Sequence, residues 1–481
     1  MANEKVTPFA KQCFVTLAVG INLIGHGAVM GFAAVLLPQI HEDSGFVVTK
    51  TADSWIASVI GLTLLIGNFF AAPVMGPLGR KVAHYTISVS AIVGWLVTIL
   101  ATSVEALIVG RIIQGLSFGM MLPLRSILIG EYTSPKYRGA FLTTVSLTQG
   151  FGIFFVHLLG SLVSWQKTAL ICVFLPFTSL VMTIFCPESP SWLAAKGRYD
   201  ECRTVFHWLR GTSEDQELEA MIKARQDFQE DKVNRKNTTL IETVKKKEFY
   251  KPIILMVHTY AMGQVSGATS MAAYSTTIIK LIMSPNVNAE AWMIGLDAQR
   301  LVGNTLAIYV INRFRRRTMM FLTGGISFLS HLAIITYVCL RNSGVLTYDE
   351  MWVPGLLVCT QFFAIAIGMG PLPSVIAGEV FPLEYRSIAG TISIVAIAGT
   401  LFVVLKTFQG LVDALGIEGT YGVYAAIIGY SLVVMWYLMP ETKDRTLQEI
   451  EDEFKGKSDA KGDVEEKKSL KVELTDIKEC A

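Results

Sequence analysis

The chain has 481 residues, of which 52% are hydrophobic and 17% charged, and its mean hydropathy is +0.48. Soluble domains carry about 25% charged residues, so this composition excludes an ordinary soluble protein and indicates exposure to lipid. The formal net charge of +2 gives no reason to expect a nucleic-acid partner. The seven cysteines are scattered without a CxxC pair, so we expect neither a metal site nor a disulfide framework.

Apolar runs long enough to cross a bilayer, which takes about 20 residues, recur along the whole chain. We therefore predict an all-α membrane protein with twelve transmembrane helices in two six-helix bundles. The first span is expected to be a retained anchor, because its apolar run is too long for a signal peptide. The predicted spans cover residues 12–38, 54–77, 83–102, 104–130, 140–163, 167–186, 252–280, 290–311, 318–340, 352–377, 388–412 and 419–439.

Basic residues set the predicted orientation, because Lys and Arg concentrate in cytoplasmic loops. They cluster in the loops after spans 2, 4, 8 and 10 and in the C-terminal tail, all on one side of the membrane. Both termini and the central linker are therefore predicted to be cytoplasmic, and the Asn237 sequon in the linker is expected to carry no glycan. The predicted divisions are an N-terminus at 1–11, a first bundle at 12–193, a linker with short helices at 194–251, a second bundle at 252–441, and a tail at 442–481 that is disordered after about 455.

Two motifs recur at matching places in the two halves. The first reads G-E-x5-Y-R, at Gly130–Arg138 after span 4 and at Gly378–Arg386 after span 10. The second starts with Pro-Glu, at Pro187–Leu193 after span 6 and at Pro440–Leu447 after span 12. Many secondary transporters are built from such repeats and bind their substrate near the midplane, between the halves.

These motifs resemble those of the sugar-porter family of the major facilitator superfamily, over residues 12–454. The likeness is also carried by Gly110-Arg111 in span 4, Gln264-Val-Ser-Gly267 in span 7 and Gly370-Pro371-Leu-Pro373 in span 10. Within the family, the chain resembles the insect facilitated trehalose and hexose transporters. The resemblance implies a plasma-membrane sugar carrier that works by alternating access, is not an enzyme, binds no cofactor and has no obligate protein partner.

The chain departs from the family pattern where sugar contacts are expected. In span 7 the family reads Q-Q-x-S-G-x-N, whereas this chain has Gly263 for the first Gln and Thr269 for the Asn. Ser374 replaces an aromatic residue in span 10, and the family's span-5 glutamine position falls on Ser146. We interpret this as a kept scaffold with altered sugar contacts, which argues against ordinary glucose selectivity. Three loop positions also depart from the motifs: Gly76, Asn312 and Ser191.

A neutral, hydroxyl-rich solute needs amide and hydroxyl groups in an otherwise apolar wall. Ser and Thr inside spanning helices also bond their own backbone, so each one alone is a weak signal. Gln264 is the leading candidate, because an amide in mid-span is costly unless it finds partners. The predicted substrate-binding set is Gln264, Ser266, Thr269, Ser146, Gln149, Asn304, Ser374 and Lys406.

Charged residues at the span ends are expected to form a cytoplasmic network that links the halves and closes the inner gate. An exposed ion pair contributes about 0–1 kcal/mol, but a network is able to bias an equilibrium between two states. Arg111 joins the set only because the family has a counterpart. The predicted gating set is Arg80, Arg111, Glu131, Arg138, Glu188, Arg315, Glu379, Arg386 and Glu441.

Three cations lie inside apolar runs: Arg125, Arg300 and Lys406. An ionisable residue inside a membrane is a functional hypothesis by default. Arg125 could instead extend toward the interface near Glu131. Lys406 could contact an anionic group or a polar side chain across the cavity, and the roles of all three stay open.

Energy coupling is predicted from what the sequence lacks. It contains no P-loop, which argues against ATP-driven transport. Proton-coupled sugar porters carry an acid in span 1, which this chain does not, and we interpret His26 as a packing residue, so facilitated diffusion is predicted. Two alternatives remain: the same scaffold carrying a polyol or organic anion, and a sugar sensor that does not transport.

Overall fold

The computed structural model describes residues 7–42, 48–212, 214–231, 246–346, 351–381, 386–443, 445 and 447–455. Helices make up nearly all of these residues, and no strand occurs among them. The Asn237 sequon and the tail after Lys455 lie outside the described ranges.

The first half contains six spans. Spans 1 to 5 are single helices, and a short irregularity at Val173 divides span 6. Three short helices follow in the linker: Pro190–Ala195, Tyr199–Arg210 and Asp215–Asp231. The spans are Pro8–Glu42, Lys50–Leu78, Arg80–Ile99, Val104–Tyr132, Pro135–Leu162, and Trp165–Cys172 with Phe174–Phe185.

The second half repeats this order with more interruptions. Span 7 is Lys247–Val265 with Ala268–Ile282, span 8 is Ala289–Arg313, and span 9 is Arg316–Asn342. Span 10 is Trp352–Ala364, a π-helical turn at Ile365–Met369, and Leu372–Val380. Spans 11 and 12 lie within Arg386–Leu438, which breaks at Gly416, and the helix Leu447–Lys455 follows.

Twelve spanning segments result. Among the described residues, nine helices are long and apolar enough to cross a membrane, and one of them, Gly390–Leu438, holds both spans 11 and 12. Span 7 is divided into two shorter helices, and span 8 carries Asp297 and Arg300 in its interior. The predicted all-α membrane fold with two six-helix bundles is confirmed.

Close helix contacts at glycines hold the first half together. A Cβ on Gly27 of span 1 would lie 2.2 Å from the carbonyl oxygen of Gln149, and one on Gly152 of span 5 would lie 2.1 Å from that of Ile24. Spans 2 and 4 meet in the same way, where a Cβ on Gly67 would lie 2.2 Å from the carbonyl oxygen of Leu116. In a membrane, small residues of this kind let helix backbones approach closely enough to pack.

Span 7 breaks at Ser266 and Gly267. Gly267 has a φ of 108°, which side chains with a Cβ rarely adopt. The Gln361 side chain of span 10 fills the break, because its Nε2 donates to the carbonyl oxygen of Ser266 at 2.6 Å. The freed backbone is therefore satisfied inside the protein, as interrupted membrane helices require.

The two ends of the bundle differ in how the halves meet. We call the end that carries the three short linker helices the linker end, and the opposite end, near Lys50 and Asp413, the far end. The described contacts between span 2 and span 11 lie toward the far end: Lys50 Nζ lies 2.9 Å from Asp413 Oδ2, and a Cβ on Gly61 would lie 2.7 Å from Phe402 N. Among the described residues, spans 2 and 11 therefore join the halves toward the far end.

Candidate functional site

Two predicted binding residues meet at the break in span 7. Thr269 Oγ1 donates to Gln264 Oε1 across the break. Gln264 is partly exposed and Thr269 is buried. The interruption thus turns an amide and a hydroxyl toward one another at mid-span, where a continuous helix would have left them on different turns.

Gln149 and Asn304 bring the two halves together at the same depth. Gln149 lies on span 5, and its Oε1 accepts a hydrogen bond from Arg125 Nη1 at 3.3 Å. Asn304 of span 8 packs on the neighbouring Gly150, since a Cβ there would lie 3.1 Å from Asn304 Nδ2. Both amides are partly exposed, so each has capacity for a further polar partner.

Ser266 and Ser374 bond their own helices. Ser266 is fully buried, and its hydroxyl donates to the carbonyl oxygen of Gly263 at 2.7 Å. The hydroxyl of Ser374 donates to the carbonyl oxygen of Pro371, also at 2.7 Å. Ser146, partly exposed, lies three residues before Gln149 on span 5. Within the described residues, Ser146 makes no such bond.

Lys406 does not join the other binding residues. Its Nζ lies 3.9 Å from the ring centroid of Trp55, and its carbonyl oxygen accepts a hydrogen bond from Ser54 at 3.0 Å. Both contacts are with span 2 near the far end. The cation is stabilised by the face of an indole ring, so Lys406 serves the contact between the halves and not the amide cluster.

Arg125 is a cation at the centre of the site. The sequence suggested that its side chain extends toward Glu131. The Glu131 carboxylate instead accepts hydrogen bonds from Arg80 and Ser189. The guanidinium turns instead to Gln149 and lies within electrostatic range of Tyr260 on span 7. Arg125 is partly exposed, so it belongs to the surface between the two halves.

A second charged group went unrecognised in the sequence. Asp297 of span 8 is 7% exposed, and its Oδ2 lies 2.5 Å from Nδ1 of His157 on span 5, with Arg300 one turn away. His157 Nε2 also faces an acceptor, the carbonyl oxygen of Gly31, at 3.1 Å. This buried pair joins the halves toward the far end. The sequence signal that could have revealed Asp297 is a lone Asp at helical spacing from Arg300.

At the linker end of the first half, charged residues fix three span ends together. Arg80 donates two hydrogen bonds to Glu131, at 3.0 and 3.1 Å, and Ser189 donates a third at 2.5 Å. Glu188 accepts from the backbone N–H groups of Arg80 and Lys81 at 2.9 and 3.2 Å. A carboxylate at the start of span 3 is favoured by the unpaired N–H groups and dipole of that helix.

The second half repeats the cluster at the start of span 9. Arg316 Nη2 lies 3.2 Å from Glu379 Oε1, and Thr442 donates to the other oxygen of Glu379 at 2.6 Å. Glu441 accepts from the backbone N–H groups of Arg316 and Arg317 at 3.0 and 3.3 Å. Arg316, rather than the predicted Arg315, therefore matches Arg80. The basic residue has to be the first of its helix for its own N–H to reach the glutamate, and Arg315 lies one position earlier.

The expected link between the halves is not seen in these clusters. Every described pair of Arg80, Glu131, Glu188, Arg316, Glu379 and Glu441 closes within its own half. The side chains of Arg138 and Arg386 lie outside the described residues, so their pairing stays a prediction.

Arg111 lies far from the linker end. It precedes Glu131 by 20 residues of one helix, which separates them by about 30 Å. Its side chain is 1% exposed and donates to the carbonyl oxygens of Val29 and Ile56 at 2.6 and 3.2 Å. Arg111 therefore holds spans 1, 2 and 4 together within the first half, and the cluster that it was predicted to join does not include it.

The linker helices are anchored on the first half. Arg210 donates to the carbonyl oxygen of Thr133 at 2.8 Å, next to the Glu131 cluster. Cys202 on the same helix is fully buried, and burial raises the pKa of its thiol to about 11, which keeps it protonated and unreactive. The linker thus adds rigidity at the end where the spans are tied by charge.

Comparison with known proteins places these features in a family. The family described as "Sugar (and other) transporter" matches residues 13–454. Facilitated trehalose transporters Tret1 from Aedes aegypti, Culex quinquefasciatus and Bombyx mori are 24%, 24% and 25% identical, over 92%, 94% and 93% of this chain. The chain spans 55% of the length of the Aedes protein, 88% of the Culex protein and 90% of the Bombyx protein.

Solved structures give the same fold. The proton:xylose symporter XylE bound to 6-bromo-6-deoxy-D-glucose superposes with a TM-score of 0.74 at 17% identity, covering 93% of this chain and 100% of that one. The inward open conformation of the xylose transporter XylE from E. coli gives 0.71 at 17% identity, covering 92% and 99%. With the family match over nearly its whole length, this chain belongs to the sugar transporter family, the sugar porters of the major facilitator superfamily.

Proposed function

We propose that this chain carries a small sugar, of the trehalose or hexose type, across the plasma membrane by alternating access. The observation that carries the proposal is that both halves place amides in the middle of their spans, near the contact between the halves. Asn304 Nδ2 lies against Gly150, which follows Gln149, and Gln264 with Thr269 lies at the break in span 7. Amide groups in an apolar wall suit a neutral solute rich in hydroxyl groups.

The contacts between the halves suggest how access alternates. The far end is held by Lys50 with Asp413, by Lys406 on Trp55, and by His157 with Asp297. Opening toward the far side has to break all three. The charged clusters at the linker end stay within one half each, so they keep each bundle rigid while the bundles rock. We assign Arg138 and Arg386 the closure of the linker end, which lies in the cytoplasm by the distribution of basic residues.

We propose facilitated diffusion without a coupled ion. The interior of span 1 carries no acid, since Glu42 is its last residue, and His26 is satisfied by the carbonyl oxygen of Asn22 at 2.9 Å and by Ser117 at 3.0 Å. Trehalose or D-glucose uptake into vesicles that contain a pH indicator tests this point. Uptake without acidification is expected, and proton entry in fixed ratio to sugar contradicts it and directs attention to Asp297 and His157.

A sugar sensor that does not transport is the second candidate, and the altered loop positions Gly76 and Ser191 favour it. Counterflow in vesicles separates the two functions. Purified full-length protein is reconstituted with unlabelled trehalose, D-glucose or D-xylose inside, and a trace of the labelled sugar is added outside. A carrier produces a transient accumulation of label with at least one sugar. Binding of a sugar without any accumulation contradicts transport and supports the sensor.

A further inference from the structure

Within the described residues, no acidic side chain balances the positive charge of Arg125 inside the bundle. The interiors of spans 1, 4, 5, 7 and 10 present no carboxylate to it. The carboxylates of these spans all lie near helix ends: Glu42, Glu105, Glu131, Glu248 and Glu379. Glu131 and Glu379 are already bound by Arg80 and Arg316. Asp297, the acid inside span 8, is bound by His157 and lies beside Arg300. Within the described residues, Arg125 therefore has no acidic partner.

Arg125 also has donors to spare. A guanidinium carries five N–H donors, and the one described hydrogen bond of this side chain goes to Gln149. Arg111, by contrast, is 1% exposed and donates hydrogen bonds to backbone carbonyl oxygens and to Gln114. Arg125 is partly exposed, and it lies near Gln149 of its own half and Tyr260 of the other half. Holding a cation without a counter-charge in a low-dielectric site costs free energy, and binding of an anion offsets that cost.

The neighbours of Arg125 describe the rest of that ligand. Gln149 contacts the guanidinium directly, and Asn304 lies against the adjacent Gly150. Tyr260 approaches from span 7 of the other half. These groups suit hydroxyls around a single charged end. Since guanidinium binds carboxylate with paired, charge-assisted hydrogen bonds, one cation without an acid matches one carboxylate.

We propose that the preferred cargo is a sugar acid, a polyhydroxylated compound with one carboxylate, whose carboxylate binds Arg125. The inference rests on the proposed transport function and narrows its substrate class. A neutral hexose still fits the amides but leaves Arg125 without a counter-charge. A sugar phosphate brings a second negative charge, and the next cation, Arg300, already has Asp297 beside it.

The test compares D-glucose with D-glucuronate, which differ only in the group at C6. In counterflow with reconstituted full-length protein, D-glucuronate is expected to compete with the labelled sugar about tenfold more strongly than D-glucose does. D-Glucose 6-phosphate is expected to compete more weakly than D-glucuronate. Arg125→Gln is expected to lower this glucuronate-to-glucose preference about tenfold, and Arg125→Lys to restore part of it. Lys167→Gln, which removes an exposed far-end cation, is the matched control and is expected to leave the preference unchanged.

A second readout uses the unmodified protein, so it does not depend on folding of a variant. Carriage of one net charge makes uptake respond to membrane potential, by up to about 50-fold in the accumulation ratio per 100 mV. D-Glucuronate uptake should rise with an inside-positive potential, and D-glucose uptake should not.

Three outcomes decide the matter. D-Glucose counterflow without D-glucuronate transport overturns the sugar-acid proposal and leaves sugar transport standing. Stronger competition by D-glucose 6-phosphate than by D-glucuronate overturns the carboxylate assignment. The absence of counterflow with trehalose, D-glucose and D-glucuronate overturns the proposed function and the sugar-acid inference together.

Discussion

Spans 4 and 10 hold matching places in the two halves, yet only span 10 is interrupted. Span 4 runs unbroken from Val104 to Tyr132, whereas span 10 passes through a π-helical turn and restarts at Leu372. Span 1 is likewise one helix, and its counterpart, span 7, breaks at Gly267. Buried Arg111 and the close glycine contacts tie the first half together. We infer that the first half forms the rigid wall of the site and that the second half contains the segments that change conformation.

The largest expected effect is at the break in span 7. Gly267→Ala forces a Cβ into the φ = 108° conformation, 2.8 Å from Gln361 Nε2. Backbone strain of about 1–3 kcal/mol and a lost hydrogen bond of about 1 kcal/mol together suggest a fall in counterflow rate of roughly 100-fold. Gly25→Ala in span 1 is the matched control, because its Cβ would meet Leu175 and Pro176 at an ordinary 3.5 Å. Equal loss in both variants contradicts the distinction between rigid and adaptable halves.

The clusters at the linker end predict the next effect. Glu131 accepts two hydrogen bonds from Arg80, whereas Glu379 accepts one described bond from Arg316, whose Nε has no partner within the described residues. Glu131→Gln is expected to lower the free energy of unfolding by about 2 kcal/mol, and Glu379→Gln by about half as much. Thermal unfolding of the two variants in the same detergent measures the difference. A larger loss from Glu379→Gln would reverse the proposed order of rigidity.

The buried contact at the far end comes third. Asp297→Asn keeps the size of the side chain but removes the charge that faces His157. We expect it to favour opening of the far end about tenfold, or about 1.4 kcal/mol, since a charge-assisted hydrogen bond is replaced by a neutral one. Spin labels at Lys167 and Ser343, both exposed at the far end of opposite halves, report the open fraction. An unchanged distance distribution shows that the pair does not hold this end closed.

The exposed contact at the far end gives the smallest expected effect. The side chains of Lys50 and Asp413 are 77% and 52% exposed, so solvent screens their attraction. Asp413→Asn is expected to change the open-to-closed ratio by less than about fivefold, because exposed pairs contribute about 0–1 kcal/mol. The same labels measure it. A shift larger than that of Asp297→Asn would mean that the surface pair, and not the buried one, closes the far end.

The sequence predicted the fold well because hydropathy and repeated motifs act over whole helices. It also assigned Arg80 and Glu131 to one charged network at the span ends, and the two side chains form an ion pair within the first half. It misplaced residues whose role depends on packing. Lys406 lies on Trp55, and Arg316 takes the role given to Arg315, because helix direction and one residue of register decide such contacts.

Asp297 and Gln361 were missed altogether. Asp297 meets His157, 140 residues away along the chain, and Gln361 reaches the carbonyl oxygen of Ser266, 95 residues away. Nothing near Asp297 or Gln361 in the sequence identifies its partner. Spacing along a helix shows which face a residue shares, but the partner across the bundle follows only from the assembled fold.

Reciprocal movement of the two ends is the direct sign of alternating access. Spin-label pairs are placed at the far end, on Lys167 and Ser343, and at the linker end, on Ala195 and Phe314, all exposed residues. Distances are measured in lipid with trehalose, D-glucose or D-glucuronate and without sugar. Alternating access predicts two populations in which the linker-end distance shortens as the far-end distance lengthens, in a ratio that at least one sugar changes. Distances that are fixed at both ends, or that lengthen together, contradict it.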